Sequence, residues 1–78
     1  MYIIDLLNKI KWDKNENPAD YTFAYEDRVL RQLIERKYAD IKRIEPAFIV
    51  LEMAGEDVEI PLTRIKLVKK QGTPIWQR

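Results

Sequence analysis

The chain contains neither cysteine nor histidine, and this pair of absences constrains it more than any motif does. A domain of 78 residues buries a smaller share of its surface than a large one, and chains this short often rely on a disulfide or a structural zinc. With both unavailable, packing has to carry the fold. The composition permits it: 46% of the residues are apolar and only two are glycine, the profile of an ordered chain. The length predicts one domain over residues 1–78 with one hydrophobic core. No apolar run approaches the roughly 20 residues needed to cross a bilayer, and Asp5 interrupts the stretch where a secretory signal would have to be apolar. The expectation is a cytoplasmic protein.

Hydrophobic periodicity organises the chain as one helix followed by strands. Ile3, Leu6, Leu7 and Ile10 fall at helical spacing within residues 2–10, which predicts an amphipathic helix lying on a sheet. Residues 13–20 are polar, contain Pro18 and read as a loop. Tyr21, Phe23 and Tyr25 then alternate with Thr22, Ala24 and Glu26, the period of a half-buried strand. Residues 29–37 fit either a helical face of Val29, Leu30, Leu33 and Ile34 or a strand. Residues 39–44 resemble a short helical turn, and the β-branched run from Ala47 to Met53 reads as a central strand. A turn at 54–57 leads to a strand at 58–61, and Gln71-Gly72 joins two final strands as a hairpin. The segments 40–44 and 63–67 look alike, which hints at a repeated turn-then-strand unit. The fold class expected is α+β: an N-terminal helix packed on a small, strongly curled, mainly antiparallel sheet or partial barrel.

The same inventory limits the chemistry. Without Cys, His or Ser there is no Ser/His/Asp or Cys/His nucleophile, no zinc site of the usual kind and no histidine pair for phosphodiester cleavage. The acids are scattered, with no spacing that forces two together, and both glycines stand alone in turns, so neither a carboxylate dyad nor a phosphate loop is indicated. A binding domain without a cofactor is expected, not an enzyme. What remains is a set of arginines and aromatics suited to phosphates and unpaired bases: Trp12, Tyr25, Arg28, Arg64, Trp76 and Arg78. Trp12, just after the helix, and Tyr25, among core aromatics, read first as packing residues. Asp27 beside Arg28 reads as a local ion pair. Lys66, Lys69, Lys70 and Arg78 form either a basic stripe or a solvated edge that discourages sheet aggregation. The net charge of +1 means that any nucleic-acid site depends on local patterning and not on bulk attraction.

Four blocks together, Lys11-Trp12-Asp13, Tyr25-Glu26-Asp27-Arg28, Ile60-Pro61-Leu62-Thr63-Arg64-Ile65 and Ile75-Trp76-Gln77-Arg78, resemble the pattern of a short domain common in archaea, the RNA cyclic group end recognition domain. The resemblance spans nearly the whole chain. It implies a module that recognises RNA ends carrying a 2′,3′-cyclic phosphate, partnered with RNA-repair or RNA-processing enzymes, to which members of the family also occur fused. Carried onto these positions, it places Asp27, Arg28, Thr63, Arg64, Trp76 and Arg78 at the RNA end, with Trp12 and Tyr25 supporting. It also favours a strand for residues 29–35. One departure stands out: Thr63 occupies the place of the family's usual histidine. A hydroxyl still donates to a phosphate oxygen but supplies no proton that titrates near neutral pH. The competing expectation, from the near-neutral charge and the apolar surface of so small a sheet, is a protein-interaction or assembly module that does not bind nucleic acid.

Overall fold

The computed structural model describes residues 2–78. Helix α1 runs Ile3–Trp12 and buries Ile3, Leu6, Leu7 and Ile10, the face the spacing predicts. Asp5 in its first turn and Lys9 and Lys11 in its last complement the helix dipole. Leu7 is 0% exposed, and enclosing a side chain of that size contributes about 2 kcal/mol. Seven strands follow: β1 (Tyr21–Asp27), β2 (Gln32–Lys37), β3 (Ile41–Ile44), β4 (Phe48–Met53), β5 (Glu56–Pro61), β6 (Ile65–Lys70) and β7 (Thr73–Gln77). They form a four-stranded sheet ordered β2-β1-β6-β7 and a three-stranded sheet ordered β3-β4-β5, with antiparallel pairing throughout. β4 is central, as its β-branched run predicts, and Ile49, Val50 and Leu51 are buried.

The strongly curled sheet or partial barrel is corrected to two open sheets. The hydrogen-bonded ladder breaks wherever the chain passes from one sheet to the other, at 3-10 turns Tyr38–Asp40 and Leu62–Arg64. The apolar face of α1 supplies the cover that closure of a barrel would otherwise give. Its buried residues join one cluster with Phe23, Tyr25, Ile65 and Val68 from the larger sheet and Ile49, Leu51 and Ile60 from the smaller. The Tyr38 hydroxyl donates to the Leu7 carbonyl at 2.8 Å, tying a crossing turn to the helix, and burial pushes this phenol up to about 12.

The likeness of segments 40–44 and 63–67 is structural, and it occurs a third time. Pro18–Asp20, Tyr38–Asp40 and Leu62–Arg64 each form a 3-10 turn leading directly into a strand. In each, the first strand residue donates its N–H to the carbonyl of the first turn residue. Ala54-Gly55 and Gln71-Gly72 make two-residue hairpin turns with all four residues at positive φ, the backbone twist that suits antiparallel strands. The first of these turns is so tight that Glu56 pairs with Met53; Glu56 and Asp57 therefore belong to β5 and not to the turn.

Residues 29–35 are a strand only from Gln32 onward. Before it, Asp27 ends β1 and caps one helix-like turn. Its Oδ1 accepts from the Val29 and Leu30 N–H groups at 2.8 and 2.9 Å, and its carbonyl accepts from Arg31 N–H at 2.8 Å. Arg31, at φ 54°, stops that turn. The helical spacing of Val29, Leu30 and Leu33 thus reflects no buried face; all three are exposed.

Candidate functional site

A groove of about 320 Å³ opens where the end of β1 meets β5. Tyr25, Glu26, Asp27, Arg28 and Val29 line one side, and Met53, Val58, Glu59 and Ile60 the other, with Arg64 also on the wall. Local pairing explains the convergence. A register shift between Ala24 and Tyr25 places Tyr25 opposite Ile65, so the crossing turn that ends in Arg64 stands beside the last residues of β1. The antiparallel β4–β5 pairing brings Met53 and Val58 to the same end of the smaller sheet.

Charge in the groove is mixed, with Glu26, Asp27 and Glu59 against Arg28 and Arg64. The Asp27 carboxylate is committed to its turn, which replaces the ion pair with Arg28 expected from their adjacency. Among the described residues, neither Arg28 nor Arg64 has a hydrogen-bond or ion-pair partner. Arg64 is half-buried and lines the groove. Tyr25, 6% exposed, is a core residue whose outer edge forms wall.

The other sequence-named residues lie outside the groove. Arg78 folds back onto the crossing turn: its Nε donates to the Ile65 carbonyl at 2.9 Å and its Nη2 to the Leu62 carbonyl at 3.2 Å. Its guanidinium also stands 5.0 Å from the half-buried Trp76 ring, which packs against the core. Arg78 therefore holds the turn that carries Arg64. Thr63 is exposed on that turn, and its carbonyl accepts from Lys66 Nζ at 3.2 Å. Trp12 departs most from expectation: it is 73% exposed, not a packing residue, and lies at the end of α1. Sequence reasoning did not find Glu26, Glu59, Met53, Val58 or Ile60. Glu26 and Ile60 stand inside the quoted blocks without a role of their own, and no local pattern marks Met53, Val58 or Glu59, which β4 and β5 bring to the groove only through tertiary placement.

The lysines of β6 behave differently. Lys69 pairs with Glu35 at 3.5 Å and Lys70 with Glu16 at 3.2 Å, so two of the four cations of the stripe are matched by acids, while Lys66 and Arg78 donate to backbone carbonyls. Glu16 also accepts from the Tyr21 hydroxyl. That bond first, and Lys70 second, hold the Glu16 carboxyl below its usual range. The Glu16 contact raises Lys70, while burial and then the Glu16 bond raise Tyr21.

Among the described residues, no helix is long and apolar enough to cross a membrane. The family model described as the MJ1316 RNA cyclic group end recognition domain matches residues 1–78. Curated relatives include a UPF0248 protein of Saccharolobus solfataricus, 30% identical over 100% of this chain and 98% of that protein. Another UPF0248 protein, from Thermococcus sibiricus, is 33% identical over 99% of this chain and 85% of its own length. A third, from Metallosphaera sedula, is 31% identical over 100% and 94%. No solved structure matches the chain. Taken with the full-length match of the family model, these relatives place it: the chain belongs to the RNA cyclic group end recognition domain family.

Proposed function

We propose that the groove binds the terminal nucleotide of an RNA ending in a 2′,3′-cyclic phosphate, and that the protein does so without catalysis, as a module of cytoplasmic RNA repair or processing. The observation that carries this reading is the pair of unpartnered guanidiniums, Arg28 and Arg64, on one concavity in a member of a family named for such ends. A cyclic phosphate presents two non-bridging oxygens with one negative charge, and the arginine fork matches a pair of oxygens in a way a lysine ammonium does not. Met53, Val58 and Ile60 offer apolar wall to the base or ribose, and Glu26 and Glu59 can accept from its N–H or O–H groups. A volume of about 320 Å³ is at the low end for small-ligand sites and suits one nucleotide, not a duplex. The absence of His, Cys and Ser from the whole sequence supports recognition over cleavage, since no imidazole, thiol or serine hydroxyl is available to attack or to shuttle a proton.

The test is fluorescence anisotropy with matched short RNAs ending in 2′,3′-cyclic phosphate, 3′-phosphate or 3′-hydroxyl. The cyclic end is expected to bind tightest, and Arg64→Ala to weaken it about thirtyfold, the equivalent of about 2 kcal/mol for hydrogen bonds to a charged group. Equal binding of all three ends rejects the reading. A second reading, a protein-interaction module, has one observation in its favour: Val29, Leu30 and Leu33 are 89%, 58% and 53% exposed on the tip beside the groove. A defined dimer by light scattering, with no RNA affinity at low salt, supports that alternative.

A further inference from the structure

On the opposite edge of the three-stranded sheet from the groove, a second and smaller hollow of about 110 Å³ lies against β3. It is lined by Lys11, Tyr38, Ile41, Lys42, Arg43 and Ile44. No residue lines both concavities. Half of this lining is cationic and none of it is acidic. Lys11 links the hollow to Trp12, for its ammonium stands 5.1 Å over the Trp12 ring while its chain forms part of the wall. The ring is 73% exposed, which leaves a broad stacking face in water. Lys42 and Arg43 do have partners, Asp57 at 3.0 Å and Glu45 at 3.5 Å. Both pairs are solvent-exposed, with all four side chains between 39% and 57% accessible, and exposed pairs of this kind exchange readily for another anion. Three cations beside a small hollow that Tyr38, Ile41 and Ile44 also line, next to an exposed indole, are the elements of single-strand recognition: a charged track for the backbone and a ring on which any base stacks.

We propose that Trp12, Lys11, Lys42 and Arg43 form a second RNA-contacting surface, which takes the single-stranded body of the RNA with a base on the indole and a phosphate in the hollow. It rests on the preceding reading only for the class of ligand, not for the chemistry of the end. The two edges of a three-stranded sheet are about 10 Å apart, roughly three phosphates at the spacing of a stacked strand, so an RNA of a dozen nucleotides can reach both surfaces. The probes are an oligonucleotide of about 12 nucleotides ending in 3′-hydroxyl, the same RNA ending in cyclic phosphate, and adenosine 2′,3′-cyclic phosphate alone. Trp12→Ala is expected to weaken both oligonucleotides about tenfold, the loss of one stacked base, with the melting temperature unchanged and the mononucleotide bound as before. Lys42→Ala combined with Arg43→Ala is expected to lower the salt dependence of oligonucleotide binding. Unchanged oligonucleotide affinity in Trp12→Ala, a parallel loss of the mononucleotide, or no oligonucleotide binding by the parent protein would each overturn the proposal. If the end chemistries bind alike but the Trp12→Ala loss persists, the groove reading fails and this surface stands.

Discussion

The two ends of β1 place their cations in opposite circumstances. At its start, Lys70 and Lys69 lie across from Tyr21 and Thr22 and pair with Glu16 and Glu35. At its finish, Arg28 and Arg64 border the groove with no partner among the described residues. The first arrangement uses charge to fix a loop and an edge of the sheet. The second leaves donors without a protein partner, the arrangement on which the proposed RNA-end site draws. Arg78 sharpens the contrast, because it follows β7, reaches back to the turn that carries Arg64, and spends its guanidinium on the Ile65 and Leu62 carbonyls. Residue type alone does not separate an arginine that builds the site from one that faces it.

The largest stability effect that breaks this comparison is expected at Asp27. Asp27→Ala removes the acceptor for two turn N–H groups and is expected to lower the unfolding free energy by about 1–2 kcal/mol, as loss of a helix cap does, measured by urea denaturation. RNA affinity should fall with it, because the same turn presents Arg28. Asp27→Asn keeps the accepting oxygen and should retain most of the stability. An alanine variant as stable as the parent would show that the turn stands without its cap. Arg78→Ala comes next, with an expected cost of about 1 kcal/mol from the lost carbonyl contacts. Its effect on RNA binding should be smaller than that of Arg64→Ala, and the reverse order would make Arg78 a ligand contact after all.

Much of the fold is legible in residue periodicity, and the reasons for the exceptions are physical. The helix face, the central strand and the final hairpin follow from spacing and turn chemistry, because each is decided within a few residues. The stretch 29–35 misleads because Val29, Leu30 and Leu33 mimic a buried stripe, while Asp27 and the left-handed Arg31 determine the local path. The separation into two sheets is set by where the crossing turns interrupt the ladder, which no strand's own pattern records. In the groove, Arg28 and Arg64 are visible as residue types, but the acids and apolar residues of β5 join them only through tertiary pairing. Trp12 is the converse case: its position just after an amphipathic helix suggests packing, yet the apolar face of α1 is complete at Ile10 and the indole is left outside.

The smallest expected effect belongs to the paired end of β1 and is read through pH. Glu16 has its folded-state pKa lowered from the ordinary 4.5 by Tyr21 and Lys70. Its contribution is therefore present above about pH 4.5 and is lost as pH falls through the lowered folded value. Lys70 and Tyr21 are raised, so their shares persist through neutral pH and disappear only as the solution becomes strongly alkaline. Glu16→Gln should melt slightly below the parent at pH 7, and the gap should narrow as the pH is taken down from about 5, because acid removes from the parent what the substitution has already removed. RNA affinity at neutral pH should not change, since the cluster lies at the far end of β1 from the groove. A gap that stays constant across the acid range would mean that Glu16 acts through packing and not through its charge, and the contrast between paired and unpaired cations would then rest on the groove alone.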